Sequence, residues 1–296
     1  MVIVADGEFG PEDITQLVTR LRPRLHRYCA RMVGSAIEGE DVLQDALAKA
    51  AEALPSGAVI ERPENWLFRI AHNTALDLLR QRKRRAWAVS GAGAAEPADP
   101  GAAADVRVTA ASGLAALLRL SVTERASVAL IDVLGHSAAE AVDIMGVSLA
   151  AVKAALHRGR TRLRSLADTA DAPAPAFDPA ERERLRAYAD LFNARDFDAL
   201  RALLAEDVRL DLVDRVRLAG RKDVSIYFTR YDGSADWRFS VGLAEGRPAL
   251  LVSDPADPDG QITYVVLMDW EGDRIRMIRD FRYATYVVED LALSRF

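Results

Sequence analysis

Two stretches of this 296-residue chain cannot continue a helix or a strand, and they decide how many cores it can build. Residues 86–113 read AWAVSGAGAAEPADPGAAADVRVTAASG, rich in Ala, Gly and Pro and without sustained apolar periodicity. A second break at residues 169–178 carries the alternating Ala and Pro of APAPA, the composition of a semi-extended spacer. Between and beyond these breaks lie three segments, 11–85, 114–168 and 179–296. The chain is too long for one ordinary domain, and its 50% hydrophobic content is that of a globular protein. A multidomain architecture follows.

The first two segments read as all-α. Ile14, Leu17, Leu21, Leu25, Tyr28 and Met32 recur at three-to-four-residue spacing and end at Gly34. EGEDVLQDALAKAAEAL starts acidic, as a helix N-terminus prefers, and a third helix begins after Pro63. The third segment changes style. Two helices precede β-like runs, broken by a short helix RKDVSIYFTRY and by turns at Asp257-Pro258-Asp259-Gly260 and Glu271-Gly272-Asp273. Helices followed by antiparallel strands predict an α+β domain.

The net charge of −5 is unevenly sorted. Residues 178–296 carry 18 basic and 23 acidic side chains, whereas the first 177 carry 21 of each. Within that neutral part, Arg62–Arg85 holds seven basic residues against Glu64 and Asp77, and Ser148–Arg164 holds five against none. Such blocks suit local nucleic-acid contacts, or solvated helix faces. The single cysteine, Cys29, excludes an intramolecular disulfide and a multi-cysteine zinc site. With no long apolar run and an acidic N-terminal stretch, a cytoplasmic protein without membrane contact is expected.

The most specific local pattern is SAAEAVDIMGVSLAAVKAALHRGRTRL at Ser137–Leu163. Ser137 and Glu140 form a capping box, Gly146 breaks the helix, and Ser148 can cap the next one. Two short helices joined this way make a helix-turn-helix. Leu149, Val152, Leu156 and Leu163 are its expected buried stripe. Lys153, Ala154, His157 and Arg158 are then left facing out toward a major groove.

LSVTERASVALIDVLGHSAAEAVDIMGVSLAAVKAALHRGRTRL resembles region 4 of extracytoplasmic-function (ECF) sigma factors of the sigma-70 family. The resemblance implies that Lys153, Ala154, His157 and Arg158 read the −35 promoter element. Ser121–Arg125 departs from it, standing where the family often has a proline-containing turn. Upstream, EDVLQDALAKA and ENWLFRIAHNTALDLLRQRKRR resemble region 2. This implies that Asp41, Gln44 and Asp45 dock on the coiled coil of the polymerase largest subunit. It also implies that Asn73 and Asp77 contact −10 bases while Arg80, Arg82, Lys83, Arg84 and Arg85 hold phosphates. Trp66 and Phe68 read as core ahead of stacking platforms, and His72 has no assignment. The implied partners are RNA polymerase core, through its coiled coil and flap, and promoter DNA, with 86–113 threading the polymerase cleft.

YADLFNARDFDALRALLAEDVRLDL and DRIRMIRDFRYA resemble the SnoaL-like branch of the nuclear-transport-factor-2-like fold, a cone of sheet and helices. In sigma factors with this extension an Asp-Gly-Gly-Gly-Lys motif is frequent, and Val213–Lys222 replaces it here. All four histidines precede residue 178, so acid–base chemistry in this segment would fall to Asp280 or Asp211. Asp280 is expected to pair with an arginine instead, and neither catalysis nor a cofactor is expected. The resulting expectation is a sigma factor regulated in cis by an appended domain that contacts its sigma regions. Two alternatives stay open: a helix-turn-helix regulator with a ligand-binding domain, and a SnoaL-like cyclase or isomerase.

Overall fold

The computed structural model describes residues 11–54, 60–90, 113–166 and 178–296. Its contacts divide the chain into two compact units between Asp171 and Ala172.

The first unit is helical: α1 (Pro11–Val33), α2 (Ala36–Ala53), α3 (Pro63–Ser90), α4 (Gly113–Leu118), α5 (Val122–Val128), α6 (Ala138–Met145) and α7 (Leu149–Leu166), with a π-helical turn at Ala129–Val133. The stripe predicted on α1 is buried from Ile14 to Met32. Ser35 caps α2 by accepting from the Glu38 amide at 3.1 Å. α3 corrects the expected boundary at residue 86, because Ala86–Ser90 are helical. Ala and Arg favour helix, and no glycine falls between Pro63 and Gly91. The rest of the expected linker, 91–112, lies outside the described residues, as does 167–177.

The two helical segments, 11–85 and 114–168, pack on each other. Both contribute to one continuous apolar cluster, in which Leu25, Tyr28, Leu43 and Phe68 join Ala126, Leu130, Ile144 and Val152. Polar contacts reinforce it. Arg62 and Asn65 at the start of α3 both reach Asp143 of α6, and Arg24 binds Glu64 and donates to the Leu134 carbonyl at 3.2 Å. Phe68 meets His136 edge-on at 4.7 Å.

At the centre of this junction lies Arg125, only 1% exposed. Its Nη1 donates to the Met32 carbonyl at 2.5 Å. Nε donates to Leu117 at 3.0 Å, and Nη2 to Leu118 and Leu120 at 3.2 and 3.1 Å. The Met32, Leu117 and Leu118 carbonyls belong to the C-terminal ends of α1 and α4, where helical oxygens lack intrahelical partners and carry the negative end of the dipole, and Leu120 lies just beyond α4. One planar guanidinium thus caps two helices.

The second unit contains α8 (Pro179–Asn193), α9 (Phe197–Ala202), α10 (Arg221–Asp232) and a seven-stranded sheet. The strands are β1 (Leu204–Leu212), β2 (Val216–Ala219), β3 (Arg238–Ala244), β4 (Arg247–Ser253), β5 (Ile262–Glu271), β6 (Arg274–Asp280) and β7 (Leu293–Arg295), ordered β2-β1-β6-β5-β4-β3-β7. The expectation of antiparallel strands is corrected at one pair. β1 and β6 run parallel, with Leu210 beside Ile278. Side-chain alternation encodes which face is buried, not which direction a neighbour runs. Phe192 of α8 is the hub of the core, stacked on Phe239 at 4.1 Å and edge-on to Tyr231 and Trp237.

Asp280 is fully buried at the end of β6. Its Oδ2 accepts from the Tyr227 and Tyr231 hydroxyls, each at 2.7 Å, and Oδ1 accepts from the Arg282 backbone N–H at 2.8 Å. Hydroxyls and a backbone amide make its hydrogen bonds, and the Arg282 side chain acts on it through its charge. Burial pushes its carboxyl upward, and these three donors oppose the shift. Asp211 is the carboxylate that meets arginines, Arg217 and Arg279, both at 3.4 Å.

Removing the Arg125 guanidinium leaves several buried carbonyls unsatisfied, each costing about 1–3 kcal/mol. Arg125→Ala is expected to destabilise the helical unit by about 3 kcal/mol or more, read as faster hydrogen exchange of α1 and α5 amides. Arg125→Lys should recover less than half of this, since an ammonium cannot reproduce the planar fork.

Candidate nucleic-acid interface

The predicted helix-turn-helix forms from its own local chemistry. Ser137 Oγ accepts from the Glu140 amide at 3.2 Å, and Glu140 returns the contact by accepting from the Ser137 amide at 2.7 Å. The Ser137 hydroxyl and amide hold the Glu140 carboxyl below its ordinary range. Gly146 turns the chain at φ 67°, a left-handed conformation that side chains disfavour. Ser148 Oγ then accepts from the Ala151 amide at 3.2 Å and starts α7.

The buried face of α7 is Val152, Ala155 and Gly159. This corrects the expected stripe at Leu149, which is 46% exposed. Small residues let α7 lie close to α5. A Cβ at Gly159 would stand 2.9 Å from Val128 Cγ2, so periodicity in large side chains understates this interface. Lys153, Ala154 and His157 are exposed on the opposite face, as expected. Arg158 is also exposed, but its Nε donates to Glu124 of α5 at 3.0 Å. Burial pushes the Glu124 carboxyl up, and the Ser121 amide and Arg158 outweigh it, leaving it below its usual range. Arg160 grips Asp132 at 2.6 and 2.9 Å, while Arg162 and Arg164 face solvent.

On α3, Asn73, Asp77, Arg80 and Arg84 are exposed and lie on one helix face at spacings of four, three and four. Asp77 sits between Lys49 at 3.4 Å and Arg80 at 3.0 Å. Arg82 points the other way. It pairs with Glu38 at 2.7 Å and donates to the Val33 carbonyl at 3.1 Å, so it braces the helices instead of joining the exposed face. Lys83 is half-buried, and Arg85 is exposed. Phe68 is fully buried and Trp66 half-buried. On α2, Asp41 and Asp45 are exposed and Gln44 is half-buried, its Nε2 donating to Glu40 at 3.4 Å. Glu40 is itself buried against Arg22 at 2.7 Å.

Residues 17–85 match the model of Sigma-70 region 2, and residues 114–163 match Sigma-70, region 4. The ECF RNA polymerase sigma factor SigG of Mycobacterium tuberculosis is 33% identical over 205 residues, which span 60% of this chain and 55% of SigG. The chain thus spans about half the length of that relative. The ECF RNA polymerase sigma factor SigM of the same organism is 34% identical over 152 residues, covering 51% of this chain and 75% of SigM. The chain belongs to the ECF sigma factors. Among solved structures, the crystal structure of M. tuberculosis SigJ aligns with 92% of this chain and 98% of its own, at 18% identity and a TM-score of 0.36. Sigma region 2 corresponds here to α1–α3 and sigma region 4 to α4–α7.

Sequence reasoning left His72 unassigned and did not anticipate the roles of Arg125 and Glu40. His72 faces inward from α3, its Nδ1 2.7 Å from the Tyr28 hydroxyl. Among the described residues, no three His, Cys, Asp or Glu side chains cluster to hold a metal, and no helix is long and apolar enough to cross a membrane.

Burial, with Arg80 nearby, lowers the His72 pKa from 6.5 to about 4. The folded state therefore favours neutral imidazole. Its stabilising contribution is complete above about pH 6.5 and is lost as pH falls toward 4, by about 3 kcal/mol in total. Urea midpoints of the helical unit should fall across that window, and His72→Gln should flatten the fall.

Proposed function

We propose that this chain directs RNA polymerase core to specific promoters and starts transcription there. The observation that carries the reading is the pair of exposed polar and basic faces, on α3 and α7, raised from one shared core. In this reading Lys153, Ala154 and His157 enter the major groove of the −35 element, and Arg158 joins them by exchanging Glu124 for a phosphate or guanine. Asn73 and Asp77 read bases of the −10 element, where unstacking a base costs a few kcal/mol that a polar pocket and basic neighbours recover. Arg80 and Arg84 hold the strand. Asp41, Gln44 and Asp45 dock on the largest polymerase subunit, and region 4 on the flap.

The C-terminal unit we read as a SnoaL-like domain that regulates the sigma regions in cis. The order of elements, a helix pair leading into a sheet with α10 inserted after β2, fits that resemblance. The way Asp280 is held by two tyrosine hydroxyls and a backbone amide favours a structural carboxylate over a catalytic one. A short Pro/Ala tether keeps the two units at high effective concentration.

Asn73→Ala is expected to leave core affinity intact and to lower open-complex formation about tenfold, as one lost base contact worth about 1–3 kcal/mol implies. Asp41→Ala with Asp45→Ala should instead weaken core binding, measured by fluorescence anisotropy. Equal effects of both variants on core binding would contradict the division of labour.

Ending the chain after Asp171 tests regulation in cis. The expected result is a change of threefold or more in promoter-specific transcription at matched core occupancy. Unchanged core binding and promoter activity would contradict it.

A further inference from the structure

We infer that Arg160 joins Arg158 in gripping DNA phosphates from the two flanks of α7, and that Glu124 and Asp132 act as internal phosphate mimics that hold this pair back in the free chain. The inference rests on the proposed role of α7 and adds to it one contact residue and a brake.

The placement comes from helical phase. At about 100° per residue, the exposed Lys153, His157 and Ala154 fall within an arc of about 160°, bounded by Arg160 on one side and Arg158 on the other. The buried Val152, Ala155 and Gly159 lie on the opposite side. A helix about 10–12 Å across fills a major groove about 12 Å wide. Residues in the middle of its exposed face then meet base edges, and residues at the borders meet the phosphate strands.

Both border arginines are occupied by carboxylates from outside α7, which has no acidic residue of its own. Glu124 of α5 accepts from Arg158 Nε at 3.0 Å. Asp132 of the π-helical turn accepts from Arg160 Nε at 2.9 Å and Nη2 at 2.6 Å, the two-pronged grip that a phosphate also makes. The charge on Glu124 exceeds what its own helix needs, since glutamine closes a capping box as well. Each arginine leaves a carboxylate as it takes a phosphate, so part of the electrostatic gain is cancelled on every DNA sequence. The two arginine side chains are 61% and 50% exposed, and water weakens both pairs. The brake is therefore a few-fold per pair. That holds back the free chain, and the further contacts of the holoenzyme overcome it.

The test measures binding of the full chain, alone and with core polymerase, to a labelled duplex of random sequence and to a promoter duplex recovered from a random library by the parent holoenzyme. Glu124→Gln and Asp132→Asn are each expected to raise the affinity of the free chain for both duplexes about threefold, and together about tenfold. The salt dependence should steepen by about one power per arginine released. Adding Arg158→Ala and Arg160→Ala to the double variant should abolish the gain. Binding by the double variant within twofold of the parent would overturn the inference, as would a gain that survives loss of both arginines. Glu181→Gln with Glu183→Gln changes the net charge by the same amount on α8, and an equal rise there would assign the effect to net charge and overturn it too. If Lys153→Ala leaves promoter binding by the holoenzyme unchanged, the underlying reading of α7 fails and the inference falls with it.

Discussion

The helical unit depends on a single guanidinium shared between the ends of two helices. Arg125 donates to carbonyls of Met32, Leu117, Leu118 and Leu120, closing the C-termini of α1 and α4 in a place water does not reach. A buried charge carries a large desolvation penalty, and several carbonyl dipoles oriented toward it offset that penalty. The geometry has a consequence for everything downstream. Fixing Arg125 fixes α5 against α1, α5 seats α7 across the Gly159 contact, and α7 then holds its exposed face in a set direction.

From that junction the two sigma regions share one core and present two exposed faces. The faces differ in how their charges are committed. On α7, Arg158 and Arg160 are bound to Glu124 and Asp132, whereas Lys153 and His157 face solvent. On α3, Arg82 braces the fold through Glu38, while Arg80 and Arg84 stay on the exposed stripe. A run of basic residues is thus divided by helical phase into structural and surface members. The C-terminal unit has its own core around Phe192 and its own buried polar centre at Asp280.

Much of this could be read from the sequence because local rules govern it. The apolar stripe of α1, the capping box at Ser137 and Glu140, the Gly146 turn and the exposed Lys153, Ala154 and His157 all follow from spacing and side-chain chemistry within a dozen residues. What escaped depends on partners distant in sequence. Arg125 looks like one more surface arginine until Met32, 93 residues away, supplies a carbonyl. The shared core of the two helical segments, the parallel pairing of β1 with β6 and the tyrosine ligands of Asp280 are of the same kind. Leu149 shows the converse error. A leucine at the right period was expected to be buried, but alanine and glycine do the packing on α7.

The central claim is that one chain carries two promoter-reading faces and acts through polymerase. Mapping the 5′ ends of transcripts made by core polymerase with this chain on a randomised DNA library tests it most directly. The account predicts start sites preceded by two enriched sequence blocks at a fixed spacing, present only when chain and core are combined. Start sites without enrichment, or a single block bound equally well without core, would contradict it.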